Sequence, residues 1–339
     1  MGGRAAARSA GACGPFGNPP ATILGTIKPD CGSGELLGPW KDGDGTDRYA
    51  CLYEPVSAKA ARRLPLLVYL HPSLFGAWTV TRTNLLELQN TASLGGDPNR
   101  TGFIVLAPQG RRTTHYYPWP DKRGMGWDNW YRQLSPAGGV KIDETVYPEN
   151  ADAATIDHFI AQAARTGKVD TRRIYVTGWS NGAAMGLLYA LNRPDVAAVA
   201  IYSGPDPFGA FDDPCRQAPV SGAPASNAEV RIFNPRVPAM QVHNSCDIVG
   251  TCPNAEKMVA ELRAAGINVD DVIVDSLGRR VDACAARCGA DPNGGLDPLY
   301  NPLSWLLGLH RHQRWPAQWT PAMLEFLRGH RLRPAAAPF

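Results

Sequence analysis

Arg173-Ile174-Tyr175-Val176-Thr177-Gly178-Trp179-Ser180-Asn181-Gly182-Ala183-Ala184-Met185 is the stretch on which the reading of this sequence turns. An apolar, β-type run breaks into G-x-S-x-G and continues in small, helix-forming residues, the pattern of a strand, a tight turn and a helix. Glycines at 178 and 182 leave room for a turn in which a Cβ would collide with the neighbouring chain while Ser180 is held in a strained backbone conformation. Such a turn, a nucleophile elbow, lifts the hydroxyl clear of the sheet. It also aims the following helix at the reacting atom, so that the Asn181 N–H and the positive helix end can stabilise an oxyanion. Glycine and serine are common, so the motif alone is weak. Here helical spacing over 183–191, a Pro194 stop and a second apolar strand over 196–203 follow it. A nucleotide-binding turn would use similar glycines, but no G-x-G-x-x-G or Walker pattern is present.

Upstream, 150–166 has helical apolar spacing and ends at Gly167, feeding the elbow strand. Runs at 49–53, 64–71 and 102–108 read as strands, and 79–93 as a helix, so the sheet grows in βα units. The 64–71 strand ends in His71-Pro72-Ser73-Leu74. A loop there is where a second oxyanion donor is expected, and because Pro72 has no N–H it must come from Ser73 or Leu74, of which Ser73 is preferred. His71 reads as a structural strand-end residue. Residues 109–148 form an aromatic insertion in which Trp127 or Trp130 is expected near the site, joined there by Leu74 and Trp179 as substrate-binding candidates.

Downstream, 204–237 is a proline-rich cap or crossover, 238–244 a buried strand, 254–265 a helix and 267–277 a strand. Asp247 stands just past the carboxyl end of the 238–244 strand, where sites assemble in open α/β sheets. Asp206, Asp212, Asp213, Asp271 and Asp275 compete, but they lie in loops or inside the next strand pattern. Asp291, Asn293 and Asp297, in a further insertion at 278–302, read as a turn-rich surface loop in preference to a calcium site. His310 and His312 precede a capped helix at 320–329, the place a triad base needs; His312 is preferred, with His310 as the alternative. A hydroxyl nucleophile needs such a base, and the base a carboxylate to orient it.

The chain has 339 residues, a net charge of +3 and basic residues scattered in runs no longer than a pair, which gives no ground for nucleic-acid binding. No stretch approaches a membrane span. Eight cysteines without zinc-type spacing indicate disulfides in an oxidising compartment, with Cys31, Cys51, Cys246, Cys252, Cys284 and Cys288 as candidates. Cys246 and Cys252 are expected to pair around Asp247. Residues 1–48 read as an extended segment packed on the catalytic domain (49–334) and pinned by Cys13 and Cys31, with Asp42–Asp47 a solvated turn. The start lacks an apolar h-region, so a secretion signal is expected to have been removed.

The order Ser180, Asp247, His312 resembles the α/β-hydrolase superfamily. More closely, the His71 loop, Trp127-Asp128-Asn129-Trp130, residues 169–185, 242–256 and Arg314-Trp315-Pro316 resemble the secreted polyhydroxybutyrate depolymerases and feruloyl esterases. The sequence departs from that family in Pro72, where a glycine is usual, and in its two late histidines. The resemblance implies an α/β-hydrolase fold: a mostly parallel central sheet, helices on both faces and disulfide-stapled loop insertions. It also implies a monomeric, secreted serine esterase for a polymeric or aryl ester, without metal or cofactor. A peptidase on the same triad and a non-catalytic binding module on the same scaffold are the alternatives. The insertions lack a sustained apolar helical face of the kind a lipase lid uses, which favours polyesters or bulky aryl esters over triglycerides.

Overall fold

The structure is a computed structural model that describes residues 26–43, 45–58, 63–95, 99–112, 125–127, 140–142, 145–147, 150–204, 234–247, 252–275, 278–284, 309–310 and 312–332. In chain order these hold β1 (Glu35–Lys41), β2 (Asp47–Tyr53), β3 (Leu64–Leu70), a 3-10 turn (Ala77–Arg82), α1 (Leu85–Leu88) and β4 (Ile104–Pro108). The short strands β5 (Arg111–Arg112), β6 (Met125–Gly126), β7 (Val140–Ile142) and β8 (Thr145–Tyr147) lie within the aromatic insertion. Then come α2 (Ala151–Arg165), β9 (Val169–Trp179), α3 (Asn181–Leu191), β10 (Ala198–Tyr202), β11 (Ala239–Asn244), α4 (Cys252–Ala264), β12 (Val269–Val274), β13 (Arg280–Val281) and α5 (Thr320–Arg328).

The main sheet runs β1-β2-β4-β3-β9-β10-β11-β12-β13. From β4 to β12 all neighbours are parallel, and β1, β2 and β13 join antiparallel at the edges. This is the α/β-hydrolase fold. Parallel strands covered on both faces must be apolar on both, and β3 is buried along its whole length. Its Leu66, Val68 and Leu70 join a core with α2, α3 and α4, while Leu67 and Tyr69 join a second core with α1 and α5. The helices therefore divide between the two faces, and β9 in the middle carries the elbow to the carboxyl edge of the sheet.

Three expectations need correction. The 79–93 stretch is not one helix but the 3-10 turn followed by the four-residue α1. The hydroxyls of Thr79, Thr81 and Thr83 donate to the carbonyls of Gly76, Trp78 and Val80, and such local bonding competes with a regular helix. Residues 35–41, read as extended chain without a strand, form β1; an edge strand tolerates its Pro39 because the outer side has no ladder to complete. Asp42 is no solvated turn residue. Its carboxylate is fully buried, accepting from Arg48 at 2.9 Å and Arg111 at 3.4 Å, while Arg48 also pairs with Asp152 in the first turn of α2.

The cysteine pairing is corrected too. Cys31 bonds Cys51 and Cys252 bonds Cys284, four of the candidate cysteines, so the expected Cys246–Cys252 bridge does not exist. Cys246 is itself disulfide-bonded. β2 brings Cys51 opposite Leu36, just past the turn that holds Cys31, and α4 begins at Cys252 facing the segment after β13; both bridges join neighbouring elements instead of closing one loop. Cys13, Cys288, Trp130, Asp291, Asn293, Asp297 and most of the three insertions lie outside the described residues.

Candidate active site

The turn after β9 has little choice of sequence. A Cβ on Gly178 would stand 2.2 Å from the Gly182 carbonyl oxygen, and one on Gly182 would stand 2.2 Å from that of Leu70. Between them Ser180 takes φ 56° and ψ −121°, a conformation that costs on the order of 1–3 kcal/mol and persists only where the surroundings enforce it. Its N–H is anchored on the Tyr202 carbonyl of β10 at 3.0 Å. The hydroxyl is thereby presented at the start of α3.

Ser180 Oγ lies 2.7 Å from His312 Nε2, and His312 Nδ1 lies 2.8 and 3.0 Å from the two Asp247 oxygens. Asp247 is buried; Ser180 and His312 are 6% and 7% exposed. With an ionised Asp247 the ring carries its proton on Nδ1 and accepts from the serine on Nε2. His310 is exposed and makes no such contact. Each partner is fixed by its own element. Asp247 follows β11 in a turn closed by its N–H to the Asn244 carbonyl. The His312 main chain is held through its carbonyl, which accepts from Trp179 Nε1 at 2.7 Å.

Trp179 is therefore a prop, not a cleft wall. It is buried against Tyr202 and Trp315, and Trp315 in turn donates to Thr320 at the start of α5. Trp127 does lie near the site, as expected, but it is wholly buried, which corrects its expected substrate-binding role. Its indole N–H donates to the His71 carbonyl at 2.8 Å and its main-chain N–H to Asn181 Oδ1 at 2.7 Å, while Asn181 Nδ2 reaches back to its carbonyl. Sequence inspection missed both roles; an indole N–H that seeks a main-chain carbonyl far along the chain leaves no local signature.

The loop after β3 is held as tightly. His71 donates from Nδ1 to the Pro72 carbonyl and accepts at Nε2 from the Gly110 N–H, both at 2.8 Å, and burial lowers its pKa to about 4. It is a neutral framework residue, as its place at the strand end suggested. The Leu74 N–H is spent on the Met125 carbonyl at 2.7 Å, which leaves Ser73 as the backbone donor of this loop. Leu74 itself, at φ 71°, is 59% exposed, and Phe75 beside it packs edge-on against Trp78. An apolar rim thus adjoins this loop.

Among the described residues, one set of side chains has metal-ligand proximity: His243, Cys252 and Cys284. No described helix is long and apolar enough to cross a membrane.

Residues 48–284 match the protein family described as esterase PHB depolymerase. No curated protein sequence matches the chain. Among solved structures, a thermostable esterase is similar at 18% identity and TM-score 0.49, over 89% of this chain and 64% of its own. Esterase 2 of Thermogutta terrifontis phosphonylated by sarin is similar at 13% and 0.45, over 88% and 94%. The Bacillus cereus carboxylesterase is similar at 14% and 0.41, over 67% and 84%. The chain spans less than two thirds of the length of the first of these.

Proposed function

Since the chain belongs to the esterase PHB depolymerase family, we propose that it is a secreted serine esterase acting on polyesters of the hydroxyalkanoate type. The continuous hydrogen-bond chain Ser180–His312–Asp247 behind a strained elbow carries this reading. In it, His312 Nε2 takes the Ser180 proton as Oγ attacks the ester carbonyl, and the buried Asp247 carboxylate supports the imidazolium that forms. The backbone N–H groups of Asn181 and Ser73 stabilise the tetrahedral oxyanion. His312 then protonates the leaving alkoxide, an acyl-Ser180 remains, and water repeats the sequence to release the acid. The exposed Leu74–Phe75 rim receives the apolar repeat of the polymer. Disulfides are consistent with export, because they persist in oxidising compartments.

The test compares soluble acid released from polyhydroxybutyrate film, methyl hydroxycinnamates, long-chain triglyceride emulsion and peptides by wild-type and Ser180→Ala enzyme. Wild type is expected to favour the film. The variant is expected to keep at best the roughly 10³- to 10⁴-fold acceleration over water that survives loss of a triad. Labelling of a residue other than Ser180 by an organophosphonate would overturn the nucleophile, and preference for the emulsion would overturn the substrate class.

A further inference from the structure

Beneath α4, on the β11–β12 pair, lies a cluster of polar side chains that the proposed reaction does not use. His243 is wholly buried and neither ring nitrogen has a hydrogen-bond partner. Gln241, two residues earlier and on the same strand face, leaves both polar atoms of its carboxamide unbonded. Asp271, its register partner on β12, turns an unbonded Oδ1 to 3.7 Å from His243 Nδ1. A buried polar atom left without a partner costs about 1–3 kcal/mol, so such a concentration of them on adjacent strands calls for a ligand. On the α4 side the cluster is closed by sulfur: single donor atoms of His243, Cys252 and Cys284 all lie within 4.8 Å of one another.

With the Cys252–Cys284 bond intact the sulfurs cannot act as thiolates. We propose that, once a thiol or phosphine reductant has opened this disulfide, Cys252, Cys284 and His243 become three ligands of a zinc-class divalent cation, with water in the fourth position and the Asp271 carboxylate beside the imidazole. Reduction adds two electrons and two protons to the S–S bond. Cation binding then releases both thiol protons to water, and the imidazole coordinates through its unprotonated nitrogen. Two thiolates and an imidazole suit zinc, and bond lengths of about 2.0–2.3 Å in a tetrahedron require ligand atoms roughly 3.3–3.8 Å apart, against a present spacing within 4.8 Å for His243, Cys252 and Cys284. Cys252 is the first residue of α4, where the helix end favours its thiolate. Cys284 is held to the same helix by its N–H to Glu256 Oε1 at 3.3 Å. The start of α4, five residues after Asp247, would thus be fastened by a metal under reducing conditions and by a disulfide under oxidising ones.

The test reduces wild-type and His243→Leu enzyme with a phosphine, adds Co²⁺ or Zn²⁺, removes the excess by gel filtration and measures retained metal and the thiolate-to-cobalt charge-transfer band. The reduced wild type is expected to hold about one equivalent with the band, the unreduced enzyme none, and the leucine variant to bind at least about tenfold more weakly. Cys284→Ser, which removes one thiolate of the set, is expected to weaken binding as well, and replaces the leucine variant should that one not fold. The proposal is overturned if the reduced wild type retains no metal, if unreduced enzyme retains as much, or if the ligand variant binds like wild type.

Discussion

Asn181 serves the site in two ways. Its backbone N–H stands at the start of α3, where the proposed oxyanion forms. Its carboxamide pairs with both main-chain polar groups of Trp127, whose indole fixes the His71 carbonyl ahead of Ser73. The two proposed oxyanion donors are thus held in register through one side chain. Trp127→Phe deletes the indole N–H and keeps most of the packing; the expected result is a kcat about 10- to 100-fold lower, with KM for a small ester little changed, because a displaced donor is felt in the transition state. Asn181→Ala is expected to do the same and to combine with Trp127→Phe non-additively, which a steady-state double-mutant cycle measures. Equal kcat in wild type and both variants would reduce the network to packing. At this scale the sequence was legible where chemistry dictates residue type and chain order: Ser180, Asp247 and His312 meet at hydrogen-bond distance in the structure. It was illegible where a side chain acts on a remote backbone, as Trp179 does on the His312 carbonyl 133 residues away.

Buried strands declare themselves by continuous apolar runs, and β3, β4, β9, β10 and β11 lie where such runs predict them, to within a few residues. Edge strand β1 has no such run, and the threonines of 79–83 satisfy local carbonyls that a periodicity count does not see. The hairpin β1–β2 is joined to α2 by charge. Arg48 lies between Asp42 and Asp152, with Arg111 as a second cation on Asp42, all without solvent contact. Removing one member strands an uncompensated buried charge, so Asp42→Ala is expected to lower unfolding stability by about 3–5 kcal/mol. Urea denaturation of the purified variant measures it. A loss below about 1 kcal/mol, the size of a surface pair, would mean that water reaches the cluster.

At the scale of the molecule, burial lowers the pKa of His71 and of His243 to about 4 from 6.5 and holds both neutral. The unfolded chain binds these protons more readily than the folded one. Their contribution is therefore complete above pH 6.5 and is lost as pH falls towards 4, on the order of 3 kcal/mol each. Asp195 and Asp271, whose pKa values burial raises, act in the opposite sense and offset part of the loss. The melting temperature is expected to fall between pH 6.5 and 4, and to fall less steeply in His243→Leu; parallel curves for variant and wild type would refute the assignment to His243. The proposed triad is gathered from distant parts of the chain, and its last member arrives late. The family match ends at residue 284, while His312 reaches Ser180 from beyond that point. A fragment ending between the two would span the whole family match and retain the proposed nucleophile and carboxylate, yet lack the proposed proton acceptor. On the proposed mechanism, a match over 48–284 alone therefore says nothing of the base, which has to be sought downstream.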